Sequence, residues 1–169
     1  MNVVLKSIKF IDLKHYGLVR KSSNKPYITH PIYVSYILMS YKQKSKNLDK
    51  LLAACILHDV LEDTNTTFEE LVEQFGPLIS SLVLELTSDK EEIEKVGKNE
   101  YLKIKIIGMS SYALTLKLCD RLANISDNPK ISYINDTLEL MNHIKKNRKL
   151  SKTQKNLIKD ICFICENKI

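Results

Sequence analysis

Apolar residues recur along this chain at the three- and four-residue spacing of one helix face, interrupted by short polar or proline-bearing stretches. The first such face runs over residues 5–18 and gives way to the polar loop RKSSNKPYITHP. Pro31 suits the first turn of a helix, where its missing N–H has no partner to lose. The spacing therefore predicts a helix through IYVSYILMS with His30 at its entrance. After the polar break KQKSKN, Asp49 starts a helix that carries LLAACILHDVLEDT. Thr66 and Thr67 then stand three residues before Glu69 and Glu70, two candidate capping boxes ahead of FEELVEQF, with Gly76 as its stop. PLISSLVLELTSD, a charged segment over 90–100, and periodic runs over 101–109 and 112–125 come next. Asn128 and Pro129 break the chain before two last helices, at 131–146 and 151–166.

Strand-like alternation in LKIKIIGMS finds no hairpin turn to pair it with a second strand. Only 4 glycines and 4 prolines in 169 residues argue against the turn-rich all-β classes. No repeat or low-complexity tract divides the chain. The expectation is one all-α domain over 1–169, a bundle of about eight to ten helices joined by short loops.

A formal charge of +6 and a pI near 9.0 favour anionic partners. Much of the excess sits in Lys145, Lys146, Arg148, Lys149, Lys152, Lys155 and Lys159, with no aromatic interleaved. That pattern fits a solvated link between terminal helices better than a nucleic-acid surface. Cys55, Cys119, Cys162 and Cys165 lie in apolar surroundings and read as free thiols; Cys162 and Cys165 are half a zinc motif without the other half. No signal peptide is recognisable, and the apolar runs fall short of the roughly 18 residues a membrane helix needs. A soluble, cytoplasmic protein is expected.

The stretch LLAACILHDVLEDTN carries the chemistry. Burying a histidine and three carboxylates costs several kcal/mol each, on the order of 2–7, unless partners are supplied. His58 and Asp59 are adjacent and can converge on one cation, since imidazole and carboxylate both ligate divalent metals. Two ligands make a weak site. His30, directly before Pro31, and Asp120, interrupting the apolar run LTLKLCDRLANI, are the two further candidates.

PYITHP, HDVLEDT and KLCDRLAN, in that order, resemble the successive motifs of the HD phosphohydrolase superfamily, and within it the alarmone hydrolase branch of RelA/SpoT proteins and stand-alone metazoan SpoT homologues. The resemblance spans about 18–127 and implies an all-α HD-domain bundle. It assigns His30, His58, Asp59 and Asp120 to one divalent cation, usually manganese in this branch. It makes Glu62 and Asp63 the pair that orients or activates the attacking water, and Arg20, Lys21 and Asn124 the residues that meet the nucleotide. Lys117 and Arg121, flanking Asp120, are left open between phosphate contacts and exposed helix positions. Thr64 reads as a local cap, Tyr27 as a packing residue; His15 and His143 are not expected to be ligands.

The activity so implied is hydrolysis of the 3′-pyrophosphate of guanosine tetra- or pentaphosphate, by a chain with no room for a synthetase domain. Ser22 and Ser23 replace a more charged loop, and 90–103 does not match the branch. NADPH or a deoxynucleoside monophosphate therefore stays open as substrate, and so does a sensor that binds a nucleotide without hydrolysing it. The retained pair Glu62 and Asp63 favours an enzyme over the sensor.

Overall fold

The computed structural model describes residues 2–20 and 23–168. Among these, eleven helical segments form, and the one strand-like feature is an isolated antiparallel bridge between Val19 and Pro26. The all-α expectation holds. The helices cluster into two compact units, Met1–Thr87 and Ser88–Ile169.

In the first unit, α1 (Val3–Lys14) starts with Asn2 Oδ1 accepting from Val4 N at 2.8 Å. It ends at Lys14 with His15 as its cap, short of residue 18, and Gly17 at φ +78° turns the chain two residues on. α2 (Thr29–Lys42), α3 (Leu48–Leu57), α4 (Val60–Asp63), α5 (Phe68–Phe75) and α6 (Pro77–Leu86) follow. α3 packs against α1, α2 and α6. A helix with three neighbours must be apolar nearly all round, and Leu51, Ala53, Ala54, Cys55, Ile56 and Leu57 are all buried. Each large member contributes about 1.5–3 kcal/mol by leaving water. Of the two candidate capping boxes, Thr67 takes the cap, its Oγ1 accepting from Glu70 N at 3.2 Å. Thr66 is buried instead, its hydroxyl 2.8 Å from that of Thr64.

The second unit holds α7 (Lys90–Val96), α8 (Lys98–Gly108), α9 (Ser111–Ser126), α10 (Ile131–Asn147) and α11 (Lys152–Glu166). Here α9 is the central element, packed against α10 and α11. Gln154 closes a capping box with Ser151 and also donates to Ser111 O at 2.9 Å, tying α11 to the start of α9. The charged segment 90–100 is helical, supplying α7 and the first residues of α8, with Asp89 as the cap of α7. Arg148, one of the basic residues between the last helices, donates to Ile106 O at 2.7 Å and Ile107 O at 2.6 Å. It thereby satisfies carbonyls at the end of α8. All four cysteines are free, and burial pushes the Cys165 thiol up to about 11. Among the described residues no helix is long and apolar enough to cross a membrane.

Candidate functional site

LLAACILHDVLEDT is expected to be one helix, yet it forms two: α3 ends at Leu57 and α4 begins at Val60. The break falls on His58–Asp59 and has a local cause. His58 Nδ1 lies 2.7 Å from Cys55 O, and His58 N reaches the same carbonyl at 3.4 Å. A carbonyl can only accept, so Nδ1 carries the proton and donates. The imidazole thus takes the acceptor that Asp59 N–H needs to continue the helix, and a side chain inserted in the ladder kinks it. The extra segment carries the count past the expected eight to ten. It also leaves Nε2 of the buried His58 as the ring nitrogen with the lone pair.

Asp59 Oδ2 lies 2.9 Å from that Nε2. In that tautomer the two atoms are both lone-pair donors, an arrangement that suits a cation held between them. The Tyr27 hydroxyl donates to the same Oδ2. His30, also buried, brings its ring centroid to 5.3 Å from that of His58, with a ligand nitrogen of each within 4.8 Å of the other. The turn into α2 sets its position, since His30 N donates to Tyr27 O at 3.0 Å and Pro31 follows in the first turn. Imidazole nitrogens are borderline donors that suit first-row divalent cations, and the Asp59 carboxylate lies against the second of the two rings.

Glu62 and Asp63 lie on α4, and both of their backbone N–H groups donate to Asp59 O at 3.0 Å. Glu62 is half-buried and Asp63 exposed, so the pair faces water at the end of the kinked segment. Thr64 closes α4 as the expected cap, its hydroxyl donating to Val60 O at 2.6 Å. Arg20 is half-buried in a loop fastened at both ends: Arg20 N donates to Lys25 O and Asn24 N donates to Arg20 O, each at 2.8 Å. Lys21 lies outside the described residues.

In the second unit Asp120 is buried in the middle of α9. Lys117 Nζ stands 3.2 Å from its Oδ2, and Asn124 Nδ2 donates to its Oδ1 at 2.6 Å. Partners three residues before and four after share its face, so the helix carries the charge without breaking. Arg121 is no exposed helix position. Its guanidinium lies 4.7 Å above the Tyr133 ring and donates to Thr137 Oγ1 at 3.2 Å.

The structure thus sets His30 beside His58 and Asp59 against His58 in the first unit, and pairs Asp120 with Asn124 in the second. The sequence reads Tyr27 as a packing residue and gives His15 no ligand role, and it does not show that the two rings stack beside Asp59. The His15 ring stacks on Tyr27 at 4.7 Å and 8°, and burial holds its pKa below the ordinary value of 6.5, against the opposing pull of Asp63, the Ile11 carbonyl and Asp59. The available signals were small: His15 sits one turn after the fully buried Ile11, and Tyr27 one turn before His30.

The HD domain family model matches residues 10–132, which includes all three motif stretches. The guanosine-3′,5′-bis(diphosphate) 3′-pyrophosphohydrolase of Xenopus tropicalis is 36% identical over 126 residues, 74% of this chain and 69% of that protein. A protein of the same description from Spiroplasma citri is 37% identical over 128 residues, but there the match takes in only 16% of the relative's length. The solved structure of a metazoan ortholog of SpoT, one that hydrolyzes ppGpp and plays a role in starvation responses, superposes with a TM-score of 0.83 at 26% identity, covering 99% of this chain and 96% of that one. With the HD model matching well over half its length and a relative of comparable size 36% identical, the chain belongs to the HD-domain family, in the branch of the SpoT homologues.

Proposed function

We propose that this chain hydrolyses the 3′-pyrophosphate of guanosine 3′,5′-bis(diphosphate), ppGpp or pppGpp, to GDP or GTP and pyrophosphate, its two units acting as one HD-type domain. The observation that carries this reading is the 36% identity to an enzyme of that description, in a chain whose HD match contains PYITHP, HDVLEDT and KLCDRLAN. His30, His58, Asp59 and Asp120 hold one divalent cation, manganese on this reading. The fixed tautomer of His58 and the short approach of Asp59 support the choice of donors. Such a cation, when bound, supplies Lewis acidity toward water and phosphoryl oxygen.

The chain's own residues do the rest. Glu62 and Asp63, one turn past the histidine and accessible to water, orient the attacking water and take its proton. As the water oxygen bonds to the phosphorus next to the ribose, the bond from that phosphorus to O3′ breaks. O3′ takes up a proton, and pyrophosphate leaves. Arg20, Lys21 and Asn124 meet the nucleotide, the basic pair offsetting phosphate charge.

The test is to incubate the purified chain with Mn2+ and guanosine tetraphosphate and to measure pyrophosphate and GDP, beside arms containing NADPH and a deoxynucleoside monophosphate. Release of pyrophosphate from the tetraphosphate is expected; its absence at every Mn2+ concentration removes the reading. Glu62→Ala and Asp63→Ala should each lower turnover by about 10²–10⁴-fold while Mn2+ stays bound. Activity confined to NADPH or the monophosphate would reassign the substrate within the family.

A further inference from the structure

Tyr27 occupies a position that links two candidate ligands. Its backbone carbonyl accepts from His30 N at 3.0 Å, in the turn that opens α2, while its side-chain hydroxyl donates to Asp59 Oδ2. Its own N–H donates to Leu18 O at 2.9 Å, so the main chain of this residue is fastened on both sides. The ring is held as well. The imidazole of His15 lies face to face with it, and the ring of His30 meets it edge-on with centroids 6.2 Å apart at 63°.

His15 is only 5% exposed, and neither ring nitrogen makes a well-formed hydrogen bond among the described residues. A buried imidazole without such partners costs stability, so its placement calls for another role. What it offers at this position is a flat face against Tyr27.

We propose that Tyr27 is a positioning residue for Asp59, and that His15 acts behind it as the plate that fixes the phenol. A phenol donating to Oδ2 stops the carboxylate from rotating away from His58 Nε2 and so presets the pair for a cation. The inference rests on the cation-site reading given above. Partners of this kind, one step removed from the metal, govern affinity by about 10–100-fold.

The experiment is calorimetric titration of Mn2+ into the full chain and into Tyr27→Phe, His15→Ala and His15→Phe, with circular dichroism confirming that each variant is folded. Tyr27→Phe keeps the ring and loses only the donor; its Kd for Mn2+ should rise by about 10–100-fold, and its turnover should recover as Mn2+ is raised to saturation. His15→Ala should weaken binding in the same direction, and His15→Phe, which restores a flat ring, should recover most of that loss. A wild-type chain that takes up no Mn2+ removes both this inference and the reading beneath it. A wild type that binds, beside a Tyr27→Phe variant that binds equally well, overturns this inference alone. If His15→Phe is as weak as His15→Ala, the stacking role is wrong.

Discussion

α3 and α9 are the buried central helices of their units, and each delivers a group that does not belong in an apolar core, by opposite means. α3 stops. His58 turns its Nδ1 onto Cys55 O, the backbone ladder is interrupted, and the next turn restarts as α4 with Glu62 and Asp63 on it. α9 runs on unbroken through Asp120, because Lys117 and Asn124 supply the partners that the backbone does not. An ionisable group thus enters a helical core either at the cost of the helix or at the cost of neighbouring side chains. The orientation of His58 is therefore written into the main chain. Asp120 is held through side chains, among them those of Lys117 and Asn124, which are replaceable.

The severest way to break this comparison is His58→Ala. It deletes a proposed ligand and also returns the Cys55 carbonyl to the backbone. On the proposed reading Mn2+ affinity measured by calorimetry falls by more than about 100-fold, beyond what changes one step from a metal produce. Next in size are the two cores themselves: Leu57→Ala in α3 and Leu118→Ala in α9 each remove a fully or almost fully buried side chain and should cost about 2–5 kcal/mol in urea unfolding. Asn124→Ala is milder. It leaves Asp120 in an intact helix without its 2.6 Å donor, and Mn2+ binding should weaken by about tenfold while the helical circular dichroism signal is unchanged. A loss of helicity there would show that α9 accommodates its charge by the route of α3 after all.

How much of this was legible in the sequence follows the same divide. The periodic runs 112–125, 131–146 and 151–166 became α9, α10 and α11 almost residue for residue, because their apolar spacing and the breaker at Asn128 and Pro129 agree. The pairing of Asp120 with Asn124 was readable too, since a four-residue separation on a helix is a contact. The break at His58 was not. Neither proline nor glycine marks it, and the competition between an imidazole and a backbone N–H for one carbonyl leaves no periodic trace. The exposed alternative for Arg121 fails for a related reason: periodicity placed it beside a charge, whereas its packing on Tyr133 depends on α10, from beyond the Asn128–Pro129 break. The charged segment over 90–100 gave no apolar stripe to read, and α7 has no buried residue; its cap at Asp89 was the usable signal.

The smallest predicted effect sharpens the contrast between buried bases. His15 in the first unit is held below its ordinary pKa of 6.5 by burial, so the native chain keeps it neutral where the unfolded chain begins to bind a proton. Over the window below 6.5 and above the native value the unfolded state carries more protons, and stability must rise with pH there and fall as pH drops through it. Arg121 in the second unit is a buried base of another kind, a guanidinium set over the Tyr133 ring and donating to Thr137 Oγ1. Urea midpoints taken between about pH 7.5 and 5.5 should therefore fall less in His15→Phe than in wild type, whereas Arg121→Met should shift the midpoint without changing its slope on pH. Equal slopes for wild type and His15→Phe would mean that His15 binds its proton equally in the native and the unfolded chain, so that burial does not lower its pKa. A smaller fall in wild type than in His15→Phe would mean that the native chain binds the proton more tightly, and the neutral plate behind Tyr27 would then have to be replaced by an imidazolium attracted to Asp63 and Asp59.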